Sequence, residues 1–359
     1  MTIDSFAAAR RIRVLIVDDS LFMRAAIAKA LAAGPFDVVG QAKNGSDALA
    51  QIARLAPDVV TMDFNMPGMT GAETVRLVMQ QRPTPVVMFS AHTRQGAKET
   101  FDALAAGAVD FVTKPAGEVS VDLSKIADEL IRKLVAAAQA RPRVAPPPAP
   151  PRSSASSSSA IRAISTAASL TSPGTLPRLC VIGISTGGPA ALSELIPALP
   201  PDLRVAIIIV QHMPAGFTGP LAERLDAASQ VSVSEARTGD RPLPGTVLIA
   251  PGDRHLELDD RGAVVLTDGP LVNGCRPAAD VTMIAAARTY GRRALAIIMT
   301  GMGHDGRDGA LAVKRAHGKT LAQDQASSVI YGMPKAAIDA GAIDEVAALA
   351  DIPAWLRYA

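Results

Sequence analysis

Residues 12–20 are IRVLIVDDS, an apolar run that ends in two acids, Asp18 and Asp19. Such a run bounded by polar residues predicts a strand buried on both faces, as in a parallel sheet. Helical patterns separate it from four further apolar runs, at residues 38–40, 59–62, 86–89 and 109–112. Five strand–helix units predict a doubly wound parallel α/β sheet, whose ligand site lies beyond the carboxyl ends of the strands.

The C-terminal half of the chain repeats the alternation of apolar runs and helical patterns. The apolar runs are at residues 179–184, 205–210, 247–250 and 295–299. Residues 256–258 and 264–266 flank the polar stretch DDRG and predict an antiparallel hairpin. The second half is therefore predicted to be a mostly parallel α/β sheet domain with one antiparallel hairpin.

The composition changes abruptly between residues 141 and 177, where a run of prolines is followed by a run of serines. This segment has too few large apolar side chains to offset the entropy that it would lose on ordering, which is typical of a linker. We therefore predict a first domain at residues 11–135, a Pro/Ser-rich linker at 136–177 and a second domain at 178–359.

Charge and hydropathy exclude several classes of protein. The formal net charge is +2, from 36 basic and 34 acidic residues, and no long basic block is present, so we expect no nucleic-acid partner. The N-terminus lacks the features of a secretory signal, and no apolar stretch reaches the roughly eighteen residues of a membrane span. The sequence predicts a cytoplasmic protein without membrane insertion.

The chain has two cysteines, Cys180 and Cys275, far apart in the sequence and without a CxxC pair. They predict neither a disulfide framework nor a zinc cluster. We expect both to be buried as small hydrophobic side chains, and neither is a candidate nucleophile.

Polar residues follow four of the predicted strands in the first domain. Asp18 and Asp19 follow the first strand, Asp63 the third, Ser90 the fourth and Lys114 the fifth. Clustered carboxylates repel one another, and Mg²⁺, which prefers oxygen ligands, relieves that repulsion. A lysine and a hydroxyl beside them are suited to hold a phosphoryl group on one carboxylate. Each residue alone could equally be loop polarity at a strand end.

Four motifs in this half, VDDS (17–20), MDFNMP (62–67), SA (90–91) and FVTKP (111–115), resemble the bacterial response-regulator receiver family. The resemblance implies a flavodoxin-like fold in which Asp63 accepts a phosphoryl group from a chemotaxis sensor histidine kinase. It implies Mg²⁺ as the cofactor for that transfer. The implied metal ligands are Asp18, Asp19, Asp63 and the backbone carbonyl of Asn65.

The same resemblance implies that Ser90 and Lys114 sense the phosphoryl group and that Phe111 is the switching aromatic. Phosphorylation adds about −1.5 to −2 charges and new acceptor oxygens, which can draw a hydroxyl such as that of Ser90 inward. A cis bond between Lys114 and Pro115 would be one way to aim the lysine.

A second site is predicted at the start of the C-terminal domain. The stretch GISTGGP (183–189) follows an apolar strand and opens a helix, which is the context of a nucleophilic serine on a sharp turn, here Ser185. Free N–H groups at the helix start could stabilise an oxyanion. Glycine-rich turns of this kind also bind phosphates, and Ser185 could instead be a helix cap.

A base and an orienting acid are found at two other strand ends. His212 comes directly after the run at 205–210, and Asp305 lies in the glycine-rich loop after the run at 295–299. A histidine oriented by a carboxylate can take the proton of a serine hydroxyl. Asp253 and Asp268 are competing acids, but neither follows an apolar strand in a glycine-rich loop. The order Ser, His, Asp differs from that of α/β-hydrolases.

The stretches IGISTGGP (182–189), QHMP (211–214), CRP (275–277) with Asp280, and TGMGHDG (300–306) resemble the catalytic domain of the chemotaxis protein-glutamate methylesterase family. The resemblance implies a serine carboxylesterase, without a cofactor, that releases methanol from glutamate γ-methyl esters of methyl-accepting chemotaxis receptors. Deamidation of receptor glutamines is implied for some members. Ser185, His212 and Asp305 match its triad, and His304 could compete for Asp305.

We expect the backbone N–H groups of Thr186 and Met302 to hold the oxyanion. The resemblance further implies that the unphosphorylated first domain covers the catalytic face and that phosphorylation of Asp63 relieves this. Three rival functions remain open: a non-catalytic module controlled by phosphorylation, a receiver-linked transcription factor, and an esterase for a small soluble ester. The near-neutral charge argues against the second of these.

Overall fold

The computed structural model describes residues 10–91, 93–114, 124–140 and 176–358. Most of the predicted linker, and the bond between Lys114 and Pro115, lie outside the described residues. Within the described residues, no helix is both long enough and apolar enough to cross a membrane.

The N-terminal half folds into one parallel five-stranded sheet in the order β2-β1-β3-β4-β5. Its strands are β1 (Ile12–Val17), β2 (Phe36–Ala42), β3 (Val59–Asp63), β4 (Val86–Ser90) and β5 (Asp110–Thr113). Its helices are α1 (Leu21–Leu31), α2 (Gly45–Leu55), α3 (Gly71–Gln81), α4 (Arg94–Ala105) and α5 (Ser124–Gln139). The predicted doubly wound sheet is confirmed.

The C-terminal half contains a parallel seven-stranded sheet and a separate antiparallel hairpin, as predicted. The strands of the sheet, in the order β14-β13-β12-β6-β7-β9-β8, include β6 (Arg178–Ile184), β7 (Val205–Gln211), β8 (Ser232–Glu235), β9 (Thr246–Ile249), β12 (Ala294–Ile298), β13 (Lys319–Gln323) and β14 (Glu345–Ala347). The hairpin pairs β10 (His255–Leu258) with β11 (Val264–Thr267).

Helices cover both faces of the second sheet. They are α6 (Gly188–Leu195), α7 (Thr218–Ala228), α8 (Ala279–Tyr290), α9 (Arg307–Arg315), α10 (Met333–Asp339) and α11 (Ile352–Tyr358). The sequence did not predict β8, β13 and β14, which lie at or next to the edges of the sheet. Two of them are mixed in polarity, as the sequences SVSE and KTLAQ show, so no continuous apolar run marks them.

The central strands β12, β6 and β7 lie side by side and are almost wholly buried. Helix α8 packs tightly against β6, because a Cβ atom built at Gly183 would lie only 2.8 Å from the Cβ of Ala279. A larger side chain at position 183 would push the helix away. This close approach brings the first turn of α8 to the carboxyl edge of the sheet, where the predicted catalytic residues lie.

Candidate active site

Ser185 and His212 follow neighbouring strands at the same edge of the sheet. Ile184 pairs with Gln211 in the register of β6 and β7, so the next residue of each strand leaves the sheet at the same level. The backbone N–H of His212 donates to the Ile184 carbonyl at 3.1 Å. The backbone N–H of Ser185 donates to the Thr300 carbonyl at 3.0 Å, beyond β12. Ser185 therefore lies between the ends of the two strands that flank β6.

Glycines shape the turn that carries Ser185. Gly187 has φ of 78°, in the left-handed region that glycine adopts without strain, and it leads directly into α6. Across the turn, a Cβ at Gly301 would lie 2.8 Å from the Cβ of Ser185, so only glycine lets the 300–306 loop approach so closely. Among the described residues, the backbone N–H groups of Thr186 and Met302 have no hydrogen-bond acceptor. Two donors are thus free beside the serine.

His212 and Asp305 are in direct contact. His212 Nε2 donates to Asp305 Oδ2 at 2.8 Å, and the carboxylate is buried. In the part of the chain that the structure describes, the Ser185 hydroxyl makes no hydrogen bond to His212 or to any other group. Because Nε2 is bonded to Asp305, Nδ1 is the nitrogen left to accept a proton.

Asp305 also accepts hydrogen bonds from the start of helix α8. The backbone N–H groups of Ala279 and Asp280 donate to Oδ2 at 2.6 Å and to Oδ1 at 3.2 Å. Ala278, the cap residue of α8, has no side-chain acceptor, so Asp305 satisfies these N–H groups from another segment. The helix dipole favours the negative charge of the carboxylate at this position.

These contacts set the protonation of the pair. Burial would raise the pKa of Asp305, but the hydrogen bonds from His212 and Ala279 lower it below its usual range. Burial would lower the pKa of His212, but the hydrogen bonds to Asp305 and Cys275 raise it above its usual value. Asp305 therefore stays ionised and favours the protonated form of the imidazole.

Sequence reasoning gave no role to Asn273, and it named Asp280 only as part of a motif. Asn273 Nδ2 donates to Asp280 Oδ2 at 2.7 Å and to Asp305 Oδ1 at 3.0 Å. Asn273 and Gly274 both have positive φ, at 53° and 75°, and form the centre of a tight turn between Val272 and Cys275. Asn-Gly is the dipeptide that favours this turn, and it was the available sequence signal.

The expectation that both cysteines are buried was right for Cys180 and wrong for Cys275. Cys275 is half-buried, and its Sγ lies 3.6 Å from Nδ1 of His212, because the Val272–Cys275 turn carries it to the site instead of into the core. His304 is exposed and is not among the described hydrogen-bond partners of Asp305.

The two competing acids are engaged elsewhere. Asp253 pairs with Arg276 at 2.6 Å, and Asp268 pairs with Arg254 at 2.7 Å. Neither contacts His212 among the described residues, so Asp305 is the acid that the fold brings to the imidazole.

The predicted acidic pocket lies at the carboxyl edge of the first sheet. One carboxylate oxygen each of Asp18, Asp19 and Asp63 lies within 4.8 Å of the others. Lys114 Nζ lies 2.8 Å from Asp63 Oδ1 and 3.2 Å from Asp18 Oδ2. Three hard oxygen donors at this spacing fit Mg²⁺. The backbone carbonyl of Asn65 is a further donor that could hold the ion.

Asp63 is buried, and burial raises its pKa to about 6 although Lys114 opposes the shift. Burial likewise raises the pKa of Asp18, again against the effect of Lys114. The single lysine thus compensates only part of the negative charge, which leaves a role for a cation.

Of the predicted sensing residues, Lys114 contacts Asp63, whereas Ser90 and Phe111 are turned away from it. The Ser90 hydroxyl donates to the Gly96 carbonyl at 3.1 Å and accepts from Thr100 Oγ1 at 2.7 Å, so it is bonded to helix α4. Phe111 is 2% exposed and is packed inward. The side-chain amide of Asn65 donates to Glu99, also on α4, at 3.3 Å.

Strand β5 of the first sheet contacts the second domain beside the serine. The Thr186 hydroxyl donates to Asp110 Oδ2 at 2.6 Å, and both residues are buried. The ring of Phe111 stacks on that of Phe217, with 4.7 Å between centroids. Thr186 adjoins Ser185, and Phe217 belongs to the segment that follows His212. The two domains therefore meet at the residues that flank the catalytic candidates.

Comparison with known proteins agrees with both halves of this architecture. A family model for the CheB methylesterase matches residues 180–356, and one for the response regulator receiver domain matches residues 14–123. The protein-glutamate methylesterase/protein-glutamine glutaminase of Symbiobacterium thermophilum is 46% identical over 94% of each chain. The Thermotoga maritima protein of the same name is 41% identical and covers 96% of this chain and 97% of its own.

Solved structures give a similarity over the second half of the chain. The crystal structure of the Thermotoga maritima CheB methylesterase catalytic domain is 44% identical, with a TM-score of 0.49. The match covers 51% of this chain and 98% of that one.

Proposed function

Because this chain belongs to the protein-glutamate methylesterase/protein-glutamine glutaminase family, we propose that it hydrolyses glutamate γ-methyl esters with Ser185 as the nucleophile. The observation that carries the proposal is the 2.8 Å contact between His212 and Asp305 at the strand ends beside Ser185. A serine that follows the strand between those two ends is in the position that a nucleophile requires.

The reaction is an acyl transfer through the serine. His212 Nδ1 takes the Ser185 proton while Oγ attacks the ester carbonyl, and the N–H groups of Thr186 and Met302 hold the oxyanion. The protonated imidazole then gives its proton to the departing methanol. Water, deprotonated by the same imidazole, attacks the acyl-enzyme, and the imidazolium returns the proton to Ser185 Oγ as the bond to the acyl group breaks and the glutamate carboxylate is released. Asp305 keeps the imidazole oriented and stabilises its charged form throughout.

The same groups support the glutaminase activity that the relatives' names state. A glutamine amide gives the same acyl-enzyme when ammonia, instead of methanol, leaves with the proton from His212. No further residue is needed, so we propose deamidation as a second activity of the one site.

We propose that the substrates are methyl-accepting chemotaxis receptors, that a chemotaxis sensor histidine kinase is the phosphodonor, and that the chain acts in the cytoplasm. The receiver domain supports phosphorylation at Asp63. Mg²⁺ at Asp18, Asp19, Asp63 and Asn65 would offset the clustered negative charge. Lys114, which lies 2.8 Å from Asp63 Oδ1, would pair with the phosphoryl oxygens, and Ser90 would have to leave Gly96 to do so.

The docked receiver supports control of the esterase by phosphorylation. Asp110 binds the hydroxyl of Thr186, and Phe111 lies on Phe217, so substrate cannot approach this side of Ser185 while the receiver stays in place. A movement of Phe111 on phosphorylation would remove the stack. We therefore propose that phosphorylation of Asp63 releases the catalytic domain.

Methanol release from methylated receptor membranes, with and without a small-molecule phosphodonor, tests this function. Ser185→Ala should abolish methanol release, because the neighbouring hydroxyls of Thr186 and Thr300 donate to Asp110 and to the Thr186 carbonyl. The circular dichroism of the variant should match that of the parent. Ser193→Ala is the matched control, since among the described residues its hydroxyl donates to the Pro189 carbonyl within α6 and contacts neither His212 nor Asp305. Methanol release that survives in Ser185→Ala would refute the assignment.

A further inference from the structure

Cys275 and Asn273 form a ring of contacts with the catalytic pair. Cys275 Sγ lies 3.6 Å from His212 Nδ1 and 3.7 Å from the Asn273 carbonyl oxygen. The Asn273 side chain donates to Asp305 Oδ1 at 3.0 Å, and Asp305 Oδ2 accepts from His212 Nε2 at 2.8 Å. The turn therefore contacts Nδ1 through Cys275, and Asp305 contacts Nε2. Asn273 of the same turn also binds Asp305.

The turn that supplies these contacts is rigid. Val272 and Cys275 exchange two backbone hydrogen bonds, of 3.1 Å and 2.9 Å. Asn273 Nδ2 also donates to Asp280 Oδ2 at 2.7 Å, and Asp280 Oδ1 accepts from the backbone N–H of Gly309 at 2.6 Å. The turn is thus fastened to the first turns of both α8 and α9, and its residues cannot shift without breaking these bonds.

We propose that Cys275 is a positioning residue for the general base: its sulfur accepts a hydrogen bond from Nδ1–H of the imidazolium, while its own S–H group donates to the Asn273 carbonyl. The Nδ1 proton stays on the ring until it passes to the departing methanol. In this arrangement Nε2–H of His212 donates to Asp305, Nδ1–H donates to the sulfur of Cys275, and the thiol donates to the Asn273 carbonyl. Each donor therefore has one acceptor. The proposal rests on the proposed function, because it concerns the charged imidazole that forms when Ser185 loses its proton.

Few charged or titratable groups other than Cys275 contact the imidazole of His212 among the described residues. The charged or titratable groups that face His212 are Asp305, from the loop before α9, and Cys275, from the turn before α8; Asp280 faces Asp305 through Asn273. Among the described residues no lysine or arginine contacts the imidazole. Loss of the sulfur should therefore destabilise the imidazolium, while the contact to Asp305 remains.

The test is a pH titration of His212 in the full chain, monitored by NMR of ¹³C-labelled histidine. The chain has five histidines, and a His212→Gln variant identifies the signal. Cys275→Ala should lower the pKa of His212 by about half a unit or more, since a sulfur acceptor is weak but the ring is buried. Cys275→Ser keeps a hydrogen-bond acceptor and a donor, so it should lower the pKa of His212 less than Cys275→Ala does. It replaces the alanine variant in the test if that variant folds poorly.

The acid limb of the pH profile of methanol release should move to lower pH by the same amount in Cys275→Ala. A purely structural role would instead lower the rate at every pH without moving the limb. Identical His212 titrations in the parent and in both Cys275 variants would overturn the proposal. Activity that survives in Ser185→Ala would refute the proposed function, and the NMR titration would still report on Cys275.

Discussion

At the scale of single residues, the decisive feature is that Asp305 performs two tasks. It accepts a hydrogen bond from His212, and it caps helix α8 by accepting from Ala279 and Asp280. A carboxylate held by backbone N–H groups at a helix start is strongly favoured in its ionised form. The acid is thus kept charged by the fold, and the charge is available to the imidazole.

Replacement of Asp305 by Asn should keep the size of the side chain, remove its charge and leave one of its two acceptor positions occupied by an NH₂ group. We expect the rate of methanol release to fall by about 10³- to 10⁴-fold, because the ring loses both its orientation and the stabilisation of its charged form. His212 has its pKa raised in part by this carboxylate, so the acid limb of the profile should move to lower pH in the variant. A limb at the same pH as in the parent would contradict this role of Asp305.

Because Asp63 is buried, its ionised form should lower the free energy of unfolding of the receiver at neutral pH. Its pKa is raised to about 6, so the folded chain binds this proton more tightly than the unfolded chain, and stability is lost as the pH rises through about 6. In Mg²⁺-free buffer at pH 8, Asp63→Asn should raise the free energy of unfolding of the receiver by about 1–2 kcal/mol, as measured with urea.

Addition of Mg²⁺ should make the parent chain more stable than Asp63→Asn. The ion should stabilise the parent chain by binding the three carboxylates, and it should stabilise Asp63→Asn much less, because the variant lacks one charged ligand. Equal stabilisation of both chains would show that the ion does not bind at Asp63.

At the scale of elements, strand β5 links the two sites. Lys114 directly follows the strand and contacts Asp63, while Asp110 and Phe111 at its start contact Thr186 and Phe217 of the other domain. Four residues of strand span only about 13 Å. A displacement of β5 on phosphorylation would therefore break or weaken the contact of Asp110 with Thr186, which adjoins the nucleophile Ser185.

Thr186→Val should weaken this link without changing the size of the side chain. The variant keeps the backbone N–H proposed for the oxyanion but leaves buried Asp110 without one of its donors, and a hydrogen bond to a charged group contributes about 1.5–3 kcal/mol. We expect methanol release by the unphosphorylated chain to rise about fivefold or more.

The matched control for this variant is Asp102→Ala. Asp102 on α4 and Arg224 on α7 form an ion pair between the same two domains, but their side chains are 63% and 41% exposed. Exposed pairs of this kind contribute little, so the unphosphorylated rate should change less than twofold. If both variants behaved alike, the Thr186 hydroxyl would not be the specific contact.

At the scale of the whole molecule, the receiver contacts the catalytic domain through Thr186, Phe217 and Arg224 among other described residues, and the chain also connects the two domains covalently. Covalent connection raises the effective concentration of the receiver at the catalytic domain, so even a weak interface stays closed. The tether should therefore be essential for inhibition in the unphosphorylated state.

A protease site placed within residues 141–175 tests this directly. After cleavage and dilution to nanomolar protein, the receiver should dissociate, and the unphosphorylated rate of methanol release should rise to that of the phosphorylated chain. The uncleaved chain with the same inserted site is the control. A rate that cleavage leaves unchanged would contradict inhibition by the docked receiver.

The sequence by itself determined the first sheet and the four central strands of the second, because apolar runs bounded by polar strand ends leave few alternatives to buried parallel strands. It also brought Asp18, Asp63 and Lys114 to one edge, and Ser185, His212 and Asp305 to another, since parallel strands end on the same side. The short strands β8, β13 and β14 escaped prediction, because they lie at or next to the edges of the sheet and β8 and β13 carry no continuous apolar run.

Only the tertiary structure decided what surrounds these residues. Asn273 and Cys275 lie more than sixty positions from His212 in the sequence, and the turn that holds them contacts the imidazole where α8 packs closely against β6 at Gly183. The contact between Asp110 and Thr186 joins two domains, and no local pattern encodes it. Side-chain contacts depend on how separate elements pack, whereas strand order and strand ends follow from local hydrophobic periodicity.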